Sequence, residues 1–261
     1  MGKRRKYMSW FLLLVLIGPL WVGVSGAVSL TSDWRTASRQ SAGLAPQPSQ
    51  TRGAVVQVYA ARAFNWRGLF AVHTWIAVKA AASDQYVVHQ VLGWNEWRGL
   101  SVVDSRAAIP DRYWYGAKPD LLLDIRGDAA EALIKEVNAA VRRYPYTHEY
   151  RLWPGPNSNT FVAWVAREVP ALGLSLPVTA IGKDYLGHNT LWAPAPSGTG
   201  GQFSLFGGIG MLAALEEGLE INLLGLVVGV DPLGLAVKLP GIGRVGVPRN
   251  PRPGGSTARS P

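Results

Sequence analysis

The sequence predicts an α+β fold in which an antiparallel sheet packs against helices. In the segment from Ala54 to Phe64, polar and apolar residues tend to alternate and the first residues include several valines, which is typical of a strand. Two further strand-like runs, "FAVHTWIAVKA" and "QYVVHQVLGW", are joined by the turn-forming "AASDQ". So short a connection favours antiparallel pairing of the two strands. The helical patterns come later in the chain, as expected of an α+β domain.

Two segments have the apolar spacing of helices. The first, "RGDAAEALIKEVNAAVRRY", has Asp128 in the position of an N-cap and two arginines at its C-terminal end. The second extends from about Ser158 to Val169, and its apolar residues, among them Phe161 and Val165, recur at helical spacing. We expect both helices to pack on the sheet through these apolar faces.

Composition divides the chain into five parts. Residues 1–30 are predicted to be an N-terminal transmembrane anchor or a signal peptide. Residues 31–52 are polar, contain Pro, Gly and Ser, and are predicted to be a linker. The α+β domain covers residues 53–200, and a β-rich extension covers residues 201–247. The Pro/Gly/Arg-rich tail, residues 248–261, is predicted to be disordered.

The N-terminal part has the pattern of a membrane segment. A run from Met8 to about Val28 contains no charged residue and follows four cations, Lys3 to Lys6. About 20 apolar residues suffice to cross a bilayer, and flanking cations stay on the cytoplasmic side. We therefore predict an uncleaved single-pass anchor with the body of the protein outside the inner face. A signal peptide cleaved after "VSG", at Gly26, is the alternative.

The positive charge of the chain does not indicate a nucleic-acid partner. The formal charge is +9, but Lys3, Arg4, Arg5, Lys6, Arg244, Arg249, Arg252 and Arg259 supply most of it, in terminal segments that hold no acid. The middle of the chain is therefore nearly neutral and lacks the basic footprint that nucleic acid requires. The absence of cysteine excludes disulfides, thiolate catalysis and Cys-based metal sites.

No motif predicts a cofactor or a metal. The segment "GIGRVG", from Gly241 to Gly246, has the spelling of a dinucleotide-binding loop. That loop works only when a helix follows and directs its amides at the pyrophosphate, and here "VPRNP" follows instead. The four histidines show no H-x-x-x-H spacing and no carboxylate cluster of the kind that a metal site requires. We therefore interpret "GIGRVG" as a turn and assign no metal site to the histidines.

Two histidines on neighbouring strands form a candidate pair. If residues 80–84 are the hairpin turn, the cross-strand partner of His73 lies between His89 and Leu92. The two imidazoles would then face each other directly or diagonally. The alternative is that both are ordinary half-buried strand histidines.

Ser158 stands at the start of the second helix, within "GPNSNTFVAWVAREV". Ser and Asn are preferred helix N-caps, because their side chains accept hydrogen bonds from the first-turn amides. Asn157, Ser158 and Asn159 are therefore typical of a cap. A helix N-terminus also suits a nucleophile, since its free amides offer an oxyanion hole.

Taken together, "HTWIAVK", "YVVHQVLGW" and "NSNTFVAWV" resemble the circularly permuted papain-like hydrolases, the superfamily of lecithin–retinol acyltransferase. The resemblance covers about residues 54 to 170. It implies a papain-like α+β domain in which His73 is the general base, His89 orients it, and Ser158 takes the nucleophile's place. Asn157 and Phe161 match the residues that flank the nucleophile.

The chain from the linker to "LPGIGRVG" also looks like the bacterial family catalogued as domain of unknown function 3750. This resemblance implies a membrane-associated envelope protein. With the predicted anchor, it places the chain in the bacterial inner membrane as a single-pass protein, its domain facing the periplasm or exterior.

One departure from the superfamily pattern leaves two functional hypotheses open: Ser158 stands where a cysteine is expected. A thiol can be held as a thiolate, whereas a serine must lose its proton to a base during attack. One hypothesis is a papain-like domain without catalysis that binds a peptidoglycan peptide, a lipid or an envelope partner. The other is a serine-dependent amide or ester hydrolase, or an acyltransferase, that uses Ser158 with His73 and His89.

Aromatic segments lie between the second histidine strand and the first helix. "GWNEWRG" contains Trp94 and Trp97, and "DRYWYG" contains Trp114. These side chains would wall a cleft for an acyl chain or glycan, with Asn157 and Asn159 as further binding residues. Aromatic packing in the core and turns is the alternative.

Overall fold

The computed structural model describes Lys6, residues 16–248 and the backbone of residues 252–253. The fold is α+β, as predicted, with two largely antiparallel sheets. The helices are α1, whose described part covers residues 16–24, α2, Asp128–Arg142, and α3, Ser158–Glu168. The first sheet contains β1, Val55–Arg62, β2, Val72–Lys79, β3, Val87–Val91, β4, Val103–Ala107, and β5, Asp120–Arg126. The second contains β6, Trp192–Pro194, β7, Gly200–Leu205, β8, Ile209–Ala214, β9, Gly218–Leu223, β10, Leu226–Asp231, β11, Ala236–Leu239, and β12, Gly243–Gly246.

The first sheet has the order β5-β1-β2-β3-β4, and all of these neighbours are antiparallel. A short strand β13, Arg252–Pro253, pairs with β5 in parallel. The tail that was predicted to be disordered therefore contributes two residues to the sheet, while most of it lies outside the described residues.

The first sheet buries apolar side chains on both faces, which is why β1 and β2 are buried along nearly their whole length. One face packs against α2 and α3, with Ile76 and Phe161 among the fully buried residues of that core. The opposite face carries Tyr59, Trp75 and Trp114. The two faces define two separate cores, and a side chain's place in the alternation along its strand decides which core it enters.

Part of the predicted linker packs on the second of these faces. The carboxylate of Asp111 accepts hydrogen bonds from Ser41 Oγ at 2.8 Å, from the amide of Leu44 at 2.6 Å and from the amide of Ala45 at 3.1 Å. Leu44 and Ala45 also contact the aromatic core of that face. Residues 41–45 are therefore packed against the sheet, and the segment does not behave as a free spacer at this end.

The N-cap of α2 differs by one residue from the sequence prediction, whereas α3 begins at Ser158, as predicted. α2 has Gly127 as its N-cap, and Asp128 is its first helical residue, where its charge favours the positive end of the helix dipole. α3 has Asn157 as its N-cap, and Ser158 is the first helical residue. Ser158 is therefore not the cap.

The second sheet is a meander in which sequential strands pair in the order β12 to β6. It begins at Trp192, somewhat before the predicted extension of residues 201–247. Within this extension, "LEINLLGLVVGVD" belongs to two strands, β9 and β10, which are joined by a turn at Leu224 and Gly225. The "GIGRVG" segment is a turn followed by β12.

No helix among the described residues is long and apolar enough to cross a membrane. The predicted anchor falls partly on residues 7–15, which lie outside the described residues.

Candidate functional site

The register of the first sheet places His73 and His89 on opposite faces. Ile76 pairs with His89 across β2 and β3, so His89 shares the face of Ile76, against the helices. His73 is an odd number of residues from Ile76 along β2, so it projects to the other side with Trp75. The imidazoles therefore do not face each other, either directly or diagonally.

His73 is packed within the aromatic core. Its ring stacks on Trp114 with the centroids 3.6 Å apart and the planes at 10°. His73 Nε2 lies 3.4 Å from Gln90 Oε1, and Arg112 donates to the same oxygen at 2.9 Å. Burial lowers the pKa of His73 to about 3, although the hydrogen bond to Gln90 opposes this shift. The ring is neutral at neutral pH and is a weak base.

His89 lies beneath α2. Its Nδ1 is 2.8 Å from Ser105 Oγ, on the strand beside it. Burial lowers the pKa of His89 to about 4, and the side chain of Asn138 in α2 only partly offsets this. Within the described part of the chain, His89 Nε2 is buried without a hydrogen-bond partner. The neutral ring is therefore held in a space that disfavours its protonation.

The start of α3 is a hydrogen-bonded junction centred on Asn157. The Oδ1 atom of this residue accepts from the amides of Asn159 at 2.9 Å and Thr160 at 3.2 Å. Its Nδ2 atom donates to the carbonyls of Leu152 and Ile181, each at 3.1 Å. The Asn157 side chain thus caps the helix and joins the loops on either side of it.

Asn159 joins the same helix start to the sheet. Its Nδ2 atom donates to the carbonyls of Val72 at 3.0 Å and Ile181 at 2.8 Å. Thr74 Oγ1 donates to Asn159 Oδ1 at 2.9 Å and to the carbonyl of Ser158 at 3.2 Å. The side chains of Asn157 and Asn159 are therefore engaged in joining the helix start to the loops and the sheet.

The structure does not assemble these residues as a triad. Among the described residues, no hydrogen bond joins the Ser158 side chain to His73 or His89. Ser158 sits at the junction with Thr74, which faces the helices, whereas His73 points into the opposite core. Two of the first-turn amides that could serve an oxyanion hole, those of Asn159 and Thr160, are already occupied by the cap.

Trp94 and Trp114 form an aromatic column with His73 that reaches the surface, and Trp97 lies in the same 3₁₀ helix as Trp94. Trp114 is buried between His73 and Trp94, whose ring lies 6.1 Å from it at 20°. Trp94 is 39% exposed and Trp97 is 88% exposed. Arg112 lies over the Trp114 ring at 5.4 Å. Trp94 and Trp97 are therefore accessible to a ligand, whereas Trp114 supports Trp94 from below.

A second cluster of polar groups, which the sequence analysis did not find, lies between α3 and the second sheet. Lys183 Nζ donates to Glu220 Oε2 at 2.6 Å, and Lys238 Nζ donates to Glu220 Oε1 at 2.5 Å. Burial alone would lower the pKa of Lys183, but Asp184 and Glu220 raise it above its usual value. Burial raises the pKa of Glu220, and the two lysines more than reverse this.

Asp184 extends this cluster through amide side chains. Its Oδ1 accepts from Gln202 Nε2 at 2.5 Å, and its Oδ2 accepts from Asn222 Nδ2 at 3.0 Å. The alternation of polar residues in "LEINL" and "AVKL" was the available signal, since Glu220, Asn222 and Lys238 all occupy one face of their strands. All of these groups are paired internally, so the cluster joins the second sheet to the domain.

Burial of the two neutral histidines predicts a stability that depends on pH. Their folded pKa values, about 3 and about 4, lie below the ordinary value near 6.5, so the unfolded chain binds protons first as the pH falls. Stability therefore decreases below about pH 6.5, at about 1.4 kcal/mol per pH unit for each histidine, until the folded pKa is reached.

Urea unfolding between pH 5 and 6.5 measures this slope. We expect His73→Phe to reduce it by about half, since phenylalanine retains the stacking on Trp114. His148→Phe is the control, because the His148 side chain is exposed. A slope that His73→Phe leaves unchanged would contradict the buried, neutral His73.

Comparison with known protein families gives one match. The model of a family described as "Protein of unknown function (DUF3750)" matches residues 53–185, which is just over half of the chain. The chain belongs to this family. The matched residues run from immediately before β1 to the loop after α3, so they include His73, His89 and Ser158 and exclude the second sheet.

This match confirms the predicted resemblance to DUF3750 over residues 53–185. Comparisons with curated proteins and with solved structures found no match.

Proposed function

We propose that this DUF3750 protein is a membrane-anchored protein of the bacterial envelope whose papain-like domain binds a ligand and does not catalyse a reaction. The observation that carries the proposal is the use of the α3 start as a structural junction. The amides of Asn159 and Thr160 are capped by Asn157, and the His73 ring lies in the opposite core. A serine nucleophile needs a base within about 2.6–3.2 Å, and His73 is also a weak base.

A papain-like ancestry is consistent with this proposal. In the resemblance, two histidine strands precede a helix that starts at the nucleophile's position. Here β2 and β3 are adjacent and antiparallel, and α3 packs on both of them. We infer that the family kept the layered core of the superfamily, and that polar and aromatic packing replaced the catalytic contacts.

The ligand site that we propose is the exposed end of the aromatic column. Trp94 presents its ring to solvent, Trp97 lies beside it in the same 3₁₀ helix, and Tyr115 contacts Trp94 edge to face at 6.3 Å. Arg39 lies over the Tyr115 ring at 4.4 Å. Arg39 and Arg112 thus place positive charge around an aromatic surface, which suits a ligand with both planar or apolar groups and carboxylates.

A peptidoglycan peptide has this chemistry and is the ligand that we propose. Trp94→Ala should weaken binding of soluble peptidoglycan peptides about tenfold, because an exposed aromatic or cation–π contact contributes on the order of 1 kcal/mol. Isothermal titration calorimetry with the full chain measures this. Trp34→Ala is the matched control, since Trp34 is also exposed and also has an arginine, Arg35, over its ring.

Two results would contradict the proposed function. If neither the native chain nor the Trp34→Ala variant binds the peptides, the ligand class is wrong. If the native chain cleaves the peptides and Ser158→Ala abolishes the cleavage, the domain is a serine hydrolase.

A further inference from the structure

The second sheet has its polar and apolar faces reversed relative to solvent. The face that packs on the domain carries charged and amide side chains, including Gln202, Glu220, Asn222 and Lys238. The opposite face points to solvent, and along β6 to β12 its positions hold only Gly, Ala, Pro and larger apolar residues. An antiparallel sheet with one solvated face normally shows the reverse pattern.

The register makes this face continuous. Met211 pairs with Phe203 on one side and with Ile221 on the other, and Ile221 pairs in turn with Val228. Paired residues share a face, so these side chains form rows across the sheet. Seven strands spaced about 4.8 Å apart, with about five residues each, give an area on the order of 500 Å². That is at the upper end for an apolar patch on a soluble monomer.

The hairpin turns extend the apolar surface beyond the strands. Phe206 and Leu224 are exposed, have positive φ values of 52° and 56°, and each precedes a glycine. Two-residue hairpin turns favour Asn, Asp or Gly at such positions, because a large side chain is strained there. Leu233 is likewise exposed, in the turn between β10 and β11. These turns thus hold large apolar side chains at strained positions or in full contact with water.

This distribution fits a lipid bilayer better than a protein partner. A protein–protein interface has an apolar centre and a polar rim. Here the turns at the rim carry Phe206, Leu224 and Leu233, and the polar residues face the domain instead. Apolar side chains that project from one surface are what the headgroup–acyl boundary of a membrane accepts.

The contacts of the neighbouring helix α1 also favour a lipid bilayer as the partner of this sheet face. Gly18 and Pro19 of α1 pack closely against Pro240 and Gly241, in the turn between β11 and β12. The apolar run that contains α1 is the one that the sequence predicts as a membrane anchor. The predicted anchor therefore meets the second sheet at its β12 edge.

Charge at the two ends of the chain is favourable as well. Lys3 to Lys6 precede the apolar run and anchor its cytoplasmic end in the predicted topology, whereas Arg249 and Arg259 follow β12 in a segment without any acidic residue. Each cation near an anionic membrane surface contributes about 1 kcal/mol to binding. The apolar sheet is thus followed in sequence by groups that attract anionic lipid headgroups.

We propose that the outward face of the β6–β12 sheet, with its apolar hairpin turns, lies in the surface of a lipid bilayer. The polar network of Lys183, Glu220 and Lys238 then fixes the sheet to the domain from behind. The inference shares with the proposed function only the location at a membrane, and it does not require a ligand at Trp94.

The chain has no cysteine, so a single introduced cysteine reports on one position. Ile221→Cys places a fluorophore on the sheet face, and Leu233→Cys places one on a hairpin turn. Ile109→Cys, on an exposed isoleucine of the other domain, is the matched control. The labelled full chains are reconstituted into phosphatidylcholine–phosphatidylglycerol vesicles with or without nitroxide-labelled lipids.

We expect nitroxide lipids to quench the fluorophores at Ile221→Cys and Leu233→Cys several-fold more than the one at Ile109→Cys. Equal, weak quenching at all three positions would overturn the proposal, because the chain would then be held by its N-terminal segment alone. Pyrene excimer emission from Ile221→Cys, with no quenching by the lipids, would also overturn it and identify a second copy as the occupant. Trp94→Ala should leave the quenching unchanged, which separates this result from the test of ligand binding.

Discussion

Replacing Glu220 with glutamine should destabilise the protein by about 3–5 kcal/mol, because it leaves two buried ammonium groups without their shared carboxylate. Glu220 pairs with Lys183 and Lys238, and all three side chains are almost fully buried. The glutamine is nearly isosteric, so the loss is one of charge and not of packing. Its amide group also presents N–H donors to an ammonium group that has only donors.

The remaining contacts do not compensate for this loss. Lys183 keeps Asp184 at 3.4 Å, which is long for an ion pair, and Lys238 keeps only the backbone carbonyl of Glu217. Removing one partner from a buried pair is costly, whereas replacing all partners with apolar residues is often neutral. The triple variant Lys183→Met, Glu220→Leu, Lys238→Met should therefore recover most of the stability that Glu220→Gln loses.

Urea unfolding followed by tryptophan fluorescence measures these differences. Glu168→Gln is the control, since Glu168 forms an exposed ion pair with Arg143 that should contribute less than about 1 kcal/mol. If Glu220→Gln costs no more than Glu168→Gln, the second sheet is not fixed to the domain by this network. The statement that this network fixes the membrane-facing sheet to the domain would then be wrong, although the apolar face of the sheet would be unaffected.

Local patterns in the sequence were sufficient to predict three strands of the first sheet and the two helices that pack on it, but not β4 and β5. Alternation and short turns identified β1, β2 and β3, and 3.6-residue spacing identified α2 and α3. The N-cap of α2 was misplaced by one residue because Asp128 is itself a good capping residue. The true cap, Gly127, depends on backbone conformation, which residue type alone does not fix. α3 begins at Ser158, as predicted, and its cap, Asn157, was one of three candidates.

The relation between His73 and His89 could not be predicted with the same means. Whether the two rings share a face depends on the register of one hairpin. The predicted partners of His73, from His89 to Leu92, included positions that would place His89 on the same face as His73 and positions that would place it on the opposite face. A change of register by one residue moves a side chain to the other face of the sheet. In the structure Ile76 pairs with His89, and His73 is an odd number of residues from Ile76, so the two rings lie on opposite faces.

Long-range contacts account for the other differences. Ser41 binds Asp111, a partner 70 residues away, so polar and Pro-containing residues of the predicted linker pack against the sheet. The second sheet was expected only as a β-rich extension, because its orientation toward the domain depends on Lys183 and Asp184, which are 37 and 38 residues from Glu220 and Asn222, the residues of β9 that they bind. A short window of sequence shows that one face of the sheet is polar, but not which residues that face contacts.

Asn157→Ala should destabilise the protein by about 2–4 kcal/mol, which makes it the most direct test of the α3 junction. Loss of the cap costs about 1 kcal/mol or somewhat more. The carbonyls of Leu152 and Ile181 also lose a donor, although Asn159 still serves Ile181. A buried acceptor left unsatisfied costs about 1–3 kcal/mol.

The neighbouring residue supplies the control. Ser158→Ala removes a hydroxyl without a described partner, and its backbone carbonyl still accepts from Thr74, so the change should stay within about 1 kcal/mol. Gly182 offers an independent probe, because it has a φ of 101° and a Cβ there would overlap the Asn157 side-chain amide. Gly182→Ala should therefore resemble Asn157→Ala in urea unfolding. If Ser158→Ala proves as costly as Asn157→Ala, the hydroxyl contributes to the fold or site in a way that the junction does not explain, and the division of roles between these two residues is wrong.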